Sequence, residues 1–377
     1  MNFVVFSDDW GVHPSSCQHL FRRLGPSHPT VWVNTVGMRP PRLSLEDARK
    51  VFRKVGTMLK GQRRKSHANG EYHPIVCAPP MLPFQRPAFL GTWNDRSAQR
   101  VVKARLGELR VARFRVVTTV PNVHGVVNGI GAEKIIYYCV DDFSEWPGLD
   151  RNTILEMEKK LLARVHRVIC TSQALYDRFS GKLPTFLLPH GVDVDFFASE
   201  APTVHPLLET IPEPRVGYYG LFDRRTDSAL LASVAASLPK VSIVITGPTE
   251  GRADALRRLP NIHFTGPVPY AELPSILKGW KACLLPYALN DLTEKINPLK
   301  LKEYIASGKP VLSSPLPEAR KLIPYLRIAA NEKEWVQCIE DALGGRWRPE
   351  RGAVRDFLAP HDWAHKADEF LKICEDA

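Results

Sequence analysis

Short apolar runs of strand length recur along this chain, separated by helical or loop segments. In the first half they fall at 3–7, 30–36, 74–78, 114–120, 134–140, 167–171 and 185–188, and in the second at 215–220, 241–247, 262–270, 282–287 and 311–313. Strands separated by helix-length segments need crossover connections, which make a parallel sheet, so the chain is expected to be α/β. At 377 residues it is too long for one ordinary core and suits two domains. Four prolines between 198 and 214, with little periodicity, place the linker there. The expected layout is a first domain over 1–197, a second over 215–360 and a closing helical segment over 361–377.

Seven scattered cysteines form no Cys-x-x-Cys pair, which suits reduced thiols in a cytoplasmic setting and argues against a structural zinc. The first residues lead directly into Asp8-Asp9 and read as a strand, and no window of about 18 apolar residues predicts a membrane span. The net charge of +11 is asymmetric: residues 1–196 carry 28 Lys+Arg against 17 Asp+Glu, and the remainder 23 against 23. The excess peaks over 39–115, and 47–60 can be drawn as a basic helix with an apolar stripe of Val51, Val55, Met58 and Leu59. Such a field suits an anionic membrane surface, which extends the expected location to the inner face of the plasma membrane. A core-packed helix with a solvated basic face is the other reading. Nucleic acid is not expected, because RNA-recognition and zinc-finger signatures are missing from the sequence.

Chemistry concentrates in the second half. The run Asn297-Pro-Leu-Lys-Leu-Lys-Glu-Tyr-Ile-Ala-Ser-Gly308 reads as a helix with Asn297 at the N-cap and Pro298 in the first turn, ended by Gly308 before Lys309-Pro310. Helix N-termini beside strand ends favour phosphate; Lys300 adds a cation there and Glu303 an acceptor for hydroxyls. A plain surface ion pair between Lys300 and Glu303 is the competing reading. Gly217 and Gly220 allow close backbone approach, and Arg224 and Arg225 precede a helix over 228–237 capped by Thr226 or Asp227. These make a diphosphate cradle, or else a solvated turn with charges near a cap.

The segment Pro298-Leu-Lys-Leu-Lys-Glu-Tyr-Ile-Ala-Ser-Gly-Lys-Pro-Val311 resembles the corresponding element of family 4 bacterial glycosyltransferases, as do Leu188-Pro-His-Gly-Val-Asp193 and Gly266-Pro-Val-Pro-Tyr-Ala-Glu-Leu-Pro274. Val31–42 and the run Gln18-His-Leu-Phe-Arg-Arg23 are similar to a subgroup linked to polysaccharide and teichuronic acid synthesis. The resemblance implies a GT-B fold: two Rossmann-like domains facing a cleft, with a C-terminal helix crossing back to the first. It implies a metal-independent, retaining transfer of a hexose from a nucleoside diphosphate sugar, of UDP or GDP type, to a glycan or lipid-linked acceptor, with no cofactor. Glu303 would hold the ribose as the second acid of a Glu-x7-Glu motif, and backbone near Val268 would meet the nucleobase. The first acid of that motif falls at Lys295, with Glu294 one residue early. The family's Arg and Lys after the glycine are replaced by Leu221 and Thr226, so their role would pass to Arg224, Arg225 and Lys300.

In the first domain the loop after the first strand lacks a Gly-x-Gly-x-x-Gly run, which removes the support for a dehydrogenase. His13, Ser15, Ser16 and His19 are the candidates for the acceptor side; Ser15 or Ser16 is also a plausible N-cap, and the histidines have a solvated alternative. Asp141 and Asp142 end the 134–140 strand, where a general base would sit, and a metal is the lesser alternative. Two other functions stay open: a GT-B epimerase or phosphorylase with the same nucleotide grip, and a catalytically degenerate binding or assembly protein.

Overall fold

The computed structural model describes residues 1–12, 14–35, 72–82, 88–199, 201, 203–251 and 253–375. His13, the 36–42 part of the motif-bearing segment and the basic helix expected over 47–60 lie outside the described residues. The chain divides into two compact units, one of Met1–Pro189 with Ala367–Ala377, the other of His190–Lys366. Each holds a parallel sheet.

In the first unit β1 (Phe3–Ser7), β2 (Thr30–Asn34), β3 (Ile75–Cys77), β4 (Arg115–Thr118), β5 (Lys134–Cys139), β6 (Arg167–Cys170) and β7 (Thr185–Leu187) pair in the order β3-β2-β1-β4-β5-β6-β7. Every residue of β1 is buried, as expected of a strand covered on both faces. Val4 and Phe6 join a core with Val31, Val33, Val116 and Tyr137, against Ala98, Val102 and Leu106 of the Ala88–Glu108 helix. Phe3, pointing to the opposite face, packs edge-on against Phe21 at 5.3 Å.

The second unit contains β8 (Arg215–Tyr219), β9 (Ser242–Thr246), β10 (Ile262–Gly266), β11 (Ala282–Leu285), β12 (Val311–Ser313) and β13 (Arg327–Ile328), in the order β10-β9-β8-β11-β12-β13. All pairs in both sheets are parallel. Strand order reverses between β8 and β11, and loops leaving such a reversal diverge to leave a crevice at the strands' carboxyl ends. The corresponding reversal in the first sheet is between β1 and β4.

Two boundaries differ from expectation. Residues 190–197, assigned from sequence to the first domain, belong to the second unit, as does the proline-rich 198–214 stretch. The cause is specific packing: the ring of Phe196 stacks on Tyr270 at 5.2 Å, and buried Lys302 donates its Nζ hydrogen to the His190 carbonyl. The final helix, Trp363–Glu375, buries Trp363, Ala367, Phe370 and Cys374, spaced at helical period. Leu371 and Ile373 are only half-buried because they fall beside that stripe.

Candidate active site

The second unit's site forms where β8 and β11 part. β8 is followed directly by Gly220, whose φ of +119° belongs to the left-handed half of backbone space. A Cβ there would lie 2.1 Å from Lys300 Cε and 2.7 Å from its Nζ, so the glycine makes room for the lysine. Gly247, after β9, approaches so closely that a Cβ would lie 2.1 Å from the Gly220 carbonyl oxygen. Gly217 serves the core instead of the loop: a Cβ would strike the Trp280 ring at 2.1 Å.

The helix carrying Lys300 spans Leu299–Ala306, with Leu301, Tyr304 and Ile305 buried. Asn297 is not its N-cap: Pro298 occupies that position with ψ of 114° and no side chain caps the helix. Pro298 itself keeps this extended backbone, so the helix starts one residue later than expected. The end is as expected, with Gly308 at φ +68°.

Glu303 is 7% exposed, which excludes the surface ion pair with Lys300. Its carboxylate accepts from Tyr219 Oη at 2.5 Å and from Tyr270 Oη at 3.2 Å. Burial raises the Glu303 pKa, against the two tyrosine hydrogen bonds and the Lys300 charge, which favour the ionised form. Val268 is half-buried in the loop after β10, two residues before Tyr270.

Lys300 Nζ donates to Tyr287 Oη at 3.3 Å and sits 5.4 Å from the centre of the Tyr218 ring. Burial pushes the Tyr287 phenol up, but Lys300 and Arg225 outweigh it and leave the pKa below its usual value. Arg225 pairs with Asp223 at 2.9 Å, while Arg224 is exposed. Asp227 caps the Ser228–Ser237 helix by accepting from the Leu230 amide at 2.9 Å. Glu294 is exposed and Lys295 half-buried.

In the first unit, Ser15 caps the Ser16–Leu24 helix and donates its hydroxyl hydrogen to Asp8 at 2.9 Å. Gln18 donates to the other Asp8 oxygen at 2.6 Å and accepts from the Gly11 amide at 2.9 Å. Ser16 and His19 are buried, so a solvated His19 is excluded; burial, then Arg22 and Arg23, hold its pKa down at about 3. Asp142 is 3% exposed and paired with Arg178 at 3.1 Å, and it accepts from the Ser144 hydroxyl at 2.6 Å. Arg178 also pairs with buried Glu158. That network holds Asp142 in structural contacts, against its expected place as a base; Asp141 is half-buried.

Sequence reasoning missed Tyr219, Tyr270 and Tyr287, which come from three different loops or strands. Their only local signal is that each tyrosine stands at or just beyond a strand's carboxyl end.

Residues 213–344 match the family model described as Glycosyl transferases group 1. They are a group 1 glycosyltransferase domain. TuaH of Bacillus subtilis (strain 168), named for a glycosyltransferase role in teichuronic acid biosynthesis, is 27% identical over 188 residues. That match covers 47% of each protein, so the chain spans about half the length of its curated relative. A sucrose-phosphate synthase from Thermosynechococcus elongatus aligns over 100% of this chain and 98% of its own, at TM-score 0.71 and 18% identity. HepE from Anabaena, in complex with UDP and glucose, aligns over 100% and 99% at TM-score 0.66 and 11% identity. The fold around the group 1 domain is GT-B, built from two Rossmann-like domains.

Proposed function

We propose that the group 1 domain binds a nucleoside diphosphate sugar and that the chain transfers its hexose to a glycan or lipid-linked acceptor in cell-surface polysaccharide synthesis. The carrying observation is the Gly220–Lys300 contact at the strand reversal, beside a buried Glu303 held by two tyrosines. On this reading the ribose hydroxyls donate to Glu303, backbone near Val268 meets the base, and the diphosphate lies over Gly220 near Lys300. UDP is the favoured nucleotide, because HepE is described with UDP and glucose.

As the bond from the anomeric carbon to the diphosphate breaks and the acceptor oxygen bonds to that carbon, negative charge grows on the leaving group. Lys300, Arg225 and the exposed Arg224 balance it electrostatically, which is the role a metal would otherwise fill. In a retaining transfer the acceptor proton leaves with the diphosphate. If a side chain takes it, Asp141 is the candidate, since Asp142 is engaged by Arg178. On the acceptor side Ser15 and Gln18 position the Asp8 loop through their hydrogen bonds, while Ser16 and His19 are buried in the same helix.

Calorimetric titration with UDP, GDP, ADP and CMP tests the donor site. Saturable binding of one nucleotide, weakened at least tenfold by Glu303→Ala, is expected. The half-buried Lys295, standing where the motif's first acid belongs, favours one rival, a catalytically degenerate binding protein. Failure of all four nucleotides to bind would replace the transferase reading with that one.

Membrane attachment belongs to this proposal as well. On the Ala88–Glu108 helix, Phe89 (68% exposed) and Trp93 (46%) share a face with exposed Arg96, Arg100 and Lys103. Aromatic residues beside cations suit an anionic lipid interface.

A further inference from the structure

A cavity of about 570 Å³ lies at the opposite end of the Leu299–Ala306 helix from Lys300. Its walls are the Val194–Ala198, Leu273–Lys278 and Arg351–Leu358 helices and the turn Ser307-Gly308-Lys309. Glycosyl transfer as proposed above makes no use of it. At 1.5 Å per helical residue, Lys300 and Ser307 are about 10 Å apart, so the cavity is separate from the donor site.

Four of its lining residues are cations, Lys278, Lys309, Arg351 and Arg355, and among the described lining residues Asp195 is the one carboxylate. Lys309 is the innermost of the four. Its Nζ donates to the Lys278 carbonyl at 3.3 Å, and the Lys278 Nζ donates to the Ala201 carbonyl at 2.6 Å. Burial lowers the Lys309 pKa, and the nearby charges of Lys281, Arg348 and Arg351 act in the same direction.

One ordinary explanation is that cations gather at the carbonyl end of a helix. It accounts for little here, because the Ser307 and Gly308 amides already bond the Glu303 and Ile305 carbonyls at 3.1 and 3.0 Å. Like charges converging on a concave site repel one another, and a bound anion reverses that cost. The cavity also has the size of a small-molecule pocket.

We propose that this cavity binds a small phosphate monoester, such as a sugar phosphate, at a second site in the second unit. Phosphate-bearing lipid headgroups share the chemistry, but a concave pocket set between three helices suits a soluble ester.

The test titrates the full chain with glucose 6-phosphate and, separately, with vesicles containing phosphatidic acid. Arms with Lys309→Met, Arg355→Gln and Lys300→Met run beside the wild type. Saturable glucose 6-phosphate binding is expected, weakened at least tenfold by Lys309→Met, about threefold or more by Arg355→Gln, and unchanged by Lys300→Met. Arg355 is exposed, so its replacement tests the site even if Lys309→Met does not fold. Three results would overturn the proposal: no saturable binding, loss of binding in Lys300→Met with none in the other variants, or binding to vesicles alone.

Discussion

Glu303 joins local chemistry to the proposed donor grip. Because burial raises its pKa, its contribution to stability is fully present below the ordinary carboxylate value and lost as pH rises through the folded one. Nucleotide binding through the ionised carboxylate follows the opposite course and strengthens with pH across that window. We therefore expect UDP affinity to rise with pH in the wild type and to stay flat in Glu303→Gln, at about 10- to 100-fold weaker binding. Calorimetry at several pH values reads both. His19 titrates in the other direction. Its folded pKa is about 3 against an ordinary 6.5, so its contribution is intact above 6.5 and is lost as acid protonates the unfolded chain. Between pH 7 and 5 the wild type should lose about 2 kcal/mol more than His19→Gln, measured from urea midpoints. Equal losses would mean that His19 is not held neutral in the fold.

At the scale of elements, the Gly220 turn after β8 and the Leu299–Ala306 helix act together. Gly220→Ala puts a methyl group into Lys300 at a backbone angle that suits glycine, at a cost of about 1–3 kcal/mol. It should also weaken nucleotide binding by displacing the ammonium, and a chemical melt paired with UDP titration separates the two effects. The strand-end acids of β5 show why sequence was insufficient at this level. Asp141-Asp142 looked like a catalytic pair because of its position; Arg178, from the Gln173–Phe179 helix, ties Asp142 to Glu158 of the Arg151–Leu162 helix. Removing the shared cation leaves two buried carboxylates without it. Arg178→Met should cost about 3–5 kcal/mol in thermal or urea unfolding. Asp142→Asn should retain turnover in the molecules that stay folded. A thousandfold loss of turnover at unchanged stability would return Asp142 to catalysis.

Over the whole molecule, two features follow from the chain's distribution of charge and apolar surface. The N-terminal half holds the entire basic excess, and the Ala88–Glu108 helix adds exposed aromatics to it. Co-sedimentation with anionic liposomes at low salt should be lost at high salt and reduced by Trp93→Ala; indifference to lipid charge rules the attachment out. The last helix starts in one unit and ends in the other, and Phe370 packs edge-on with Phe21 at 5.9 Å and Tyr138 at 5.6 Å in the first. Phe370→Ala should destabilise that unit by about 3–5 kcal/mol, read by calorimetric scanning.

By itself the sequence determined both parallel sheets, twelve of their strands to within a few residues, and the helix that carries Lys300 and Glu303. Those properties are local: apolar periodicity, proline and glycine punctuation, and motif spacing. β13 escaped notice because it is two residues long, and the Ala88–Glu108 helix because its buried stripe of Ala98, Val102 and Leu106 is sparse. Only the tertiary structure decided that Glu303 is buried between Tyr219 and Tyr270, that Gly220 yields space to Lys300, and that Asp142 is taken by Arg178. Each of these joins residues distant in the chain, and burial and hydrogen-bond partners are set by which loops meet at a sheet's edge.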